Sequence, residues 1–360
     1  MNEQKHYITV GEILETMEES FGLSDWTTVK NELEAMPLRV NDFFCGAGGM
    51  GLGFKQAGFR LAGAWDFDRL AVESYANNIS PKVKQADITQ ITWEEVPVAD
   101  VWTFGFPCQD ISLAGKGAGM VKGQTRSGLF YEIMRLLEQT ENNNPNNLPS
   151  IILAENVKAV NKYLPEIEKE YEARGYRMYS TIYNSKYWGV PQSRERCFIV
   201  GVRKDLKQVF NFPAEKKEYT PKLSELLEKD ADESYYLSDE KAQKIIDQLE
   251  SRNQIKGKLP LPLNLVSRGA ESRGDDIAYC LKTAFCQHVL EEVGNPKVSR
   301  NTKYLVRKLT PTEMLKLQGF PSSFKQVVSY SRLEKQMGNA VTVNVSEVIA
   351  RAIKEFIQRN

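Results

Sequence analysis

Leu38-Arg39-Val40-Asn41-Asp42-Phe43-Phe44, running straight into Cys45-Gly46-Ala47-Gly48-Gly49-Met50-Gly51, is the stretch that decides the fold. A short β-rich run feeds a glycine cluster, and residues 51–57 then read as a helix closed by Gly58. Glycines in such a turn let backbone approach a ligand closely, with the N–H groups of the helix start pointing at it. Asp66 follows about 20 residues after the turn, at the end of the next β-rich run, 59–65. A carboxylate there can accept ribose hydroxyls. The pair favours a nucleotide-type cofactor over a tight structural turn, but it does not choose between a dinucleotide and another ribose-bearing cofactor.

Outward from this unit the chain keeps one rhythm. Further β-rich runs lie at 82–86, 100–105, 150–155, 178–184 and 197–203, with helical patterns between them. One helix spans 166–174, with Pro165 in its first turn and Gly175 after its end. Alternation of this kind predicts a mostly parallel sheet with helices on both faces. From 205 to 306 the rhythm stops. Pro260, Pro262, Gly269, Gly274 and Gly294 punctuate a stretch with few clear elements besides a helix near 239–250, which reads as a separate, smaller module. Thr310-Pro311-Thr312-Glu313 then starts a capped helix that Gly319 ends. A last helix near 344–357 carries Val345, Val348, Ile349, Ala352, Ile353 and Phe356 on one face, so it packs back onto the sheet. The main domain is thus divided between 37–204 and 307–360, with the module inserted at 205–306 and a helical extension at 1–36. There is no internal repeat, and the Asn-rich segment 142–147 reads as a surface loop.

Composition narrows the function classes. A chain of 360 residues, 41% hydrophobic and 26% charged, suits two globular domains, and no apolar run approaches the roughly 20 residues of a membrane span. The polar start carries no secretory signal. Five cysteines (Cys45, Cys108, Cys197, Cys280, Cys286) form no C-x-x-C pair and the only histidines are His6 and His288, which excludes a zinc site of ordinary spacing and fits a reducing cytoplasm. The formal net charge of zero sums unlike segments. Residues 1–36 hold two basic and eight acidic side chains, whereas 251–310 hold eleven basic and five acidic ones, a possible phosphate-contacting surface.

Three segments carry chemistry together. Gly105-Phe106-Pro107-Cys108-Gln109 ends the fourth run, so its thiol sits at the carboxyl edge of the sheet, where open α/β folds bind ligands. Gly115, Gly117, Gly119 and Gly123, with Ser112 and Lys116, then read as a loop that closes over substrate. Ala154-Glu155-Asn156-Val157 ends the fifth run on the same edge, and Gln192-Ser193-Arg194-Glu195-Arg196 sends two guanidinium groups from the turn before the last run. Singly these are a buried cysteine, a helix cap and a solvated turn. Jointly they match methylation at carbon 5 of cytosine. Thiolate attack at carbon 6 makes carbon 5 nucleophilic, and an acid and an arginine neutralise charge on N3 and O2.

At this point the chain resembles the bacterial C5-cytosine DNA methyltransferases over about 37–204 and 307–360, with their motifs in order. The resemblance implies a Rossmann-like S-adenosylmethionine-dependent α/β methyltransferase domain and a smaller, irregular target-recognition domain at 205–306. In the cofactor site it implies Phe44, Gly46, Gly48 and Gly49 as the methionine-binding loop, Asp66 on the ribose, Phe67 stacked on adenine, and Asp87 and Ile88 beside that ring. Pro107, Leu129, Asn339 and Val341 complete the pocket. Cys108 is the implied nucleophile, with Glu155, Arg194 and Arg196 as its catalytic partners. Arg126-Ser127-Gly128-Leu129-Phe130, Arg307-Lys308-Leu309-Thr310-Pro311 and Gly338-Asn339-Ala340-Val341 resemble further motifs. Ser267-Arg268-Gly269 and Cys280-Leu281-Lys282-Thr283 are similar to the Arg-Gly and Thr-Leu patches that reach base edges. Double-stranded DNA is then the partner, with Gln109, Ser112, Gln192, Arg268, Lys282 and Thr283 at the contact, and a restriction endonuclease acting separately as its counterpart. The chain departs from the family's usual residues at Ile111 (often Phe), Asp66 (Glu) and Ala340 (Ser), none of them catalytic.

Three rival readings compete. A transfer-RNA cytosine methyltransferase shares the active-site type, but the long 205–306 module, with its basic later part, favours a DNA reader. A nicotinamide-dependent oxidoreductase rests only on the glycine loop and Asp66. A DNA-binding module without activity conflicts with the intact Cys108, Glu155 and Arg196.

Overall fold

The computed structural model describes residues 36–111, 119–218, 220–266, 269–283, 287–292 and 303–359. The acidic extension up to residue 35, Ser112, Arg268 and most of the closing loop lie outside these residues. The core is a seven-stranded sheet made of β1 (Arg39–Phe43), β2 (Arg60–Asp66), β3 (Val83–Gln85), β4 (Val101–Phe104), β5 (Ile151–Val157), β6 (Tyr176–Asn184) and β7 (Glu195–Arg203). Their spatial order is β3-β2-β1-β4-β5-β7-β6. Only β7 runs against its neighbours, antiparallel to both β5 and β6.

Helices cover both faces: α1 (Gly49–Gln56), α2 (Arg69–Asn78), α3 (Phe130–Asn143), α4 (Leu164–Ala173), α5 (Leu223–Leu226), α6 (Asp239–Ser251), α7 (Pro311–Leu317), α8 (Tyr330–Asn339) and α9 (Val343–Gln358). Their ends follow the local chemistry read from the sequence. Pro165 lies in the first turn of α4 and Gly175 beyond it takes a φ of 77°. At α7 the Thr310 hydroxyl accepts the Glu313 N–H at 3.2 Å while the Glu313 carboxylate accepts the Thr310 N–H at 2.7 Å, the reciprocal capping box. Strand residues alternate between two cores. Val40, Val101, Leu153 and Val200 face a cluster shared with Phe54 of α1 and Ile349 and Ile353 of α9. Phe43, Trp102, Phe104 and Ile152 face Phe130, Ile133 and Leu137 of α3 and Tyr171 of α4. Burial on both faces explains why the inner strands read as continuous apolar runs.

The C-terminal helix completes the cofactor side. Its Ser346 hydroxyl donates to the Met50 carbonyl at 2.9 Å, and a Cβ added at Gly53 would lie 2.5 Å from Ser346 Cβ, so glycine is what lets α9 lie flat on α1.

The stretch 205–306 is more regular than its composition indicates. β8 (Leu261–Val266), β9 (Gly269–Ser272), β10 (Gln287–Glu292) and β11 (Tyr304–Lys308) form a second sheet in the order β11-β10-β8-β9, antiparallel throughout. α6 packs on it through Ala242, Ile246 and Leu249, against Leu261, Leu263, Leu290 and Val306. Pro262 sits inside β8 where only β10 pairs with it, so its missing N–H breaks no ladder on the other side. β11 also runs across the 306/307 division drawn from sequence and pairs wholly within this sheet. Arg307 ties it to α7. Fully buried, Arg307 pairs with Glu313 at 2.8 Å and with Glu291 of β10 at 2.8 Å. Among the described residues no helix is long and apolar enough to cross a membrane.

Candidate active site

Topology brings the loops together before any side chain is considered. β1 and β4 are neighbours, yet the chain leaves them in opposite directions across the sheet, so the glycine loop after β1 and the loop after β4 flank one crevice at the switch point. β5 ends beside β4, and because β7 is antiparallel to β5, its first residues lie at that same edge: Val157 is paired with Arg196. A parallel last strand would have sent Arg196 to the far end.

Cys108 sits half-buried in the loop after β4, and hydrogen bonds fix that loop on both flanks. The Asn156 amide donates to the Phe106 carbonyl at 2.9 Å and the Ser127 hydroxyl donates to the Pro107 carbonyl at 2.8 Å. Asp110 accepts the Ser127 N–H at 3.0 Å. Glu155 is buried and its Oε1 lies 3.2 Å from Arg196 Nε. Burial pushes the Glu155 carboxyl above its ordinary value despite the opposing pull of Arg196 and Arg194, so it holds a proton more readily than a free glutamate. The Cys108 thiol is also raised, by burial first and by the Glu155 charge second, with both arginines opposing. Cys108, Glu155 and Arg196 form one electrostatically coupled set.

Two arginine-motif residues are anchored inside the protein. Arg194, read from sequence as catalytic, is buried and donates to the carbonyls of Leu281 (3.1 Å), Gly338 (3.0 Å) and Ala340 (2.7 Å). It clasps two distant segments through three carbonyls. Gln192, expected at DNA, is wholly buried, with its amide donating to the Leu317 carbonyl at 2.7 Å and its oxygen accepting the Leu281 N–H at 2.9 Å. It is a brace. Gln109 is exposed and accepts from Arg126 at 2.8 Å. Lys282 and Thr283 are exposed beside Gly338, where any Cβ would meet their backbone at 2.6 Å or less.

On the cofactor side the glycines divide their work. Gly46, with φ 53°, has no atom within 4 Å of its missing Cβ and faces open space. Gly48 is packed against Tyr75 and Ile79, and a Cβ at Gly49 would lie 2.1 Å from the Val341 carbonyl oxygen. Only Gly46 is open to a ligand, and the other two serve close packing. Asp66 accepts the Gly46 N–H and the Asp68 N–H, each at 2.9 Å, which shapes the loop and leaves further lone pairs for a ribose. Phe67, beside it, is 74% exposed, a bare aromatic face at the crevice. Phe44 takes a φ of 53°, Leu129 and Pro107 are half-buried, Ile88 and Val341 are buried, and Asn339 is exposed. Asp87 accepts the N–H and hydroxyl of Thr89, so it also caps its own turn.

Sequence reasoning missed Ser127, Asp110 and Asn156 as supports of the nucleophile loop. Ser127 and Asn156 lie inside quoted motifs, but nothing in a motif says which backbone carbonyl a hydroxyl or amide will find.

The model of the C-5 cytosine-specific DNA methylase family matches residues 38–355. The chain is 32% identical over 340 residues to the Type II methyltransferase M.FnuDI of Fusobacterium nucleatum, covering 89% of this chain and 95% of that protein. It is 29% identical over 323 residues to the Type II methyltransferase M.HhaI of Haemophilus parahaemolyticus, covering 87% and 93%. Among solved structures, the S. pombe Dnmt2 methyltransferase superposes with a TM-score of 0.64 at 21% identity, covering 88% of this chain and 99% of its own. The Entamoeba histolytica methyltransferase EhMeth does so with a TM-score of 0.66 at 17% identity, covering 89% and 99%. The sheet is therefore that of a Rossmann-like methyltransferase, and the chain belongs to the C-5 cytosine-specific DNA methylase family as a DNA (cytosine-5) methyltransferase.

Proposed function

We propose that this enzyme methylates carbon 5 of a cytosine flipped out of a specific duplex DNA site, using S-adenosylmethionine and a covalent bond from Cys108. The observation that carries the reading is the convergence of Cys108, Glu155 and Arg196 at the edge of β4, β5 and β7. Carbon 6 of a stacked cytosine is out of reach of a thiol at a sheet edge, so the base leaves the helix at a cost of a few kcal/mol. Cys108 attacks carbon 6 as thiolate. Glu155, held toward its protonated form by burial, donates its proton to N3 as the ring accepts electrons, and the Arg196 guanidinium donates to O2. S-adenosylmethionine, when bound, supplies an electrophilic methyl group at carbon 5. Loss of the carbon 5 proton to a base, with return of the N3 proton to Glu155, then restores the ring and expels the Cys108 thiolate.

The cofactor fits what the crevice offers. Open space at Gly46, the Asp66 carboxylate and the exposed Phe67 ring supply backbone approach, a ribose acceptor and a stacking face. The inserted segment serves as the target-recognition module, and the basic excess of residues 251–310 with exposed Lys282 and Thr283 supports contact with duplex DNA. The Type II naming of the relatives supports a role in restriction and modification, beside a separate endonuclease.

The test begins with bisulfite sequencing of DNA from cells expressing the protein, which identifies the methylated site. A duplex with 5-fluorocytosine at that site lacks the proton whose loss frees the enzyme, so a cofactor-dependent adduct stable on a denaturing gel is expected. Cys108→Ser should abolish it. An adduct that survives Cys108→Ser but disappears when Cys45, Cys197, Cys280 or Cys286 is replaced would overturn the assignment. Methylation found in transfer RNA alone would move the substrate to the rival reading.

A further inference from the structure

Cys280 has no part in the reaction just described, yet its sulfur lies against both arginines of the motif. Arg194 Nη1 is 3.3 Å from Cys280 Sγ and Arg196 Nη2 is 3.8 Å from it. Arg196 therefore spans two acidic groups, Glu155 at its Nε and Cys280 at its Nη2. Arg194, buried beside it, feels the Arg196 charge strongly enough that its own charged form is weakened, after burial as the larger cause. Two guanidinium groups this close in a buried site need an anion, since an uncompensated buried charge costs several kcal/mol.

Glu155 is a poor candidate for that anion at the moment of reaction. Its task is to arrive at cytosine N3 with a proton, and a protonated carboxyl compensates nothing. The groups facing Glu155 are Arg196 and Arg194, with Cys108 and Cys197 also within reach of its charge. Those facing Cys280 are the same two arginines. Burial pushes the Cys280 thiol up, but the two guanidiniums outweigh burial and leave it below its ordinary value. Its sulfur also lies 3.4 Å from the Leu281 carbonyl, the contact that a protonated thiol would make. Ionisation exchanges that weak bond for two charge-assisted ones.

Resting on the catalytic assignment above, we propose that Cys280 is a positioning residue whose anionic sulfur holds Arg194 and Arg196, so that Glu155 can meet the cytosine ring as an acid. The sulfur comes from the inserted segment, 86 residues beyond Arg194 along the chain.

Two measurements test it. In Cys108→Ser protein, alkylation of Cys280 by iodoacetamide, mapped by mass spectrometry, should have its pH midpoint below that of the same cysteine in the denatured chain. A midpoint at or above the denatured one overturns the proposal, and this readout needs no methyl transfer. In otherwise unaltered protein, Cys280→Ser and Cys280→Ala should shift the alkaline limb of the single-turnover rate to lower pH by about one unit, a tenfold loss on that limb. Cys280→Asp, which restores a negative charge, should return the limb toward its original position. Superimposable profiles for Cys280→Ala and the parent, or an Asp variant shifted as far as the Ala variant, overturn it. Failure of the parent itself to transfer methyl would strike the catalytic assignment and leave the alkylation result standing.

Discussion

Asp42 has no catalytic task, but its position controls how stability varies with pH. It lies on β1 directly under the glycine loop, with its carboxylate accepting the Thr103 hydroxyl at 2.9 Å and the Tyr75 hydroxyl at 3.3 Å. Burial raises its carboxyl from the ordinary 3.8 to about 7, against the lowering effect of the Thr103, Tyr75 and Gly51 hydrogen bonds, and the Asp66 charge adds to the rise. The folded state thus binds this proton more tightly than the unfolded chain does. Its contribution is fully present below the unfolded value and is lost as pH climbs toward 7, by about 3–4 kcal/mol. Asp42→Asn keeps an acceptor for Thr103 and has no proton to lose. Its stability relative to the parent, from urea denaturation, should improve by about 3–4 kcal/mol between pH 4 and pH 8. An unchanged difference at the two pH values would show that Asp42 is charged in the fold. Such single-residue behaviour was hidden from the sequence, where Asp42 is one acid in a β-rich run. Cys108, Glu155 and Arg196 were legible because one reaction demands those three residue types in that order along the sheet edge. Arg194 and Gln192 were not, since their partners at Leu281, Leu317, Gly338 and Ala340 lie 87 or more residues away along the chain and are brought near only by the tertiary fold.

At the scale of elements, the start of α1 shows why the glycines of one loop are not equivalent. Gly49→Ala would drive a methyl group to 2.1 Å from the Val341 carbonyl, a backbone atom that cannot rotate away. α1 and the 338–341 segment must then separate, lowering both the melting temperature and S-adenosylmethionine affinity. Gly46→Ala meets no atom, and its left-handed φ of 53° costs about 1–2 kcal/mol. Calorimetry and thermal unfolding of the two variants should rank Gly49→Ala as the more damaging on both counts, and the reverse ranking would displace Val341 from its place against α1. The strands of the main sheet were readable to within about two residues, since burial on both faces forces apolar runs bounded by turn residues. The second sheet was not. Its strands are short and carry Pro262 and Gly269, and their pairing is decided by neighbours far along the chain rather than by local pattern.

For the whole molecule, the inserted segment is joined to the main sheet by a shared apolar core that includes Ala278, Leu281 and Val289, and by polar ties such as Arg307 to Glu313 and Arg194 to Leu281. If specificity lies in the inserted segment, replacing residues 205–308 by the matching segment of a relative should move the methylated site while the same carbon is modified. Bisulfite sequencing that still reports the original site would place specificity elsewhere. The boundary is set after Lys308 so that β11 stays whole. The insertion also has a consequence in time. α9 rests on α1 through Ser346 and Met50, and Val341 backs Gly49, so the cofactor crevice is walled partly by residues some 290 positions downstream of its glycine loop. A ribosome making this protein therefore releases the inserted segment before the crevice can close, and the walls of that crevice are complete only once α9 has emerged.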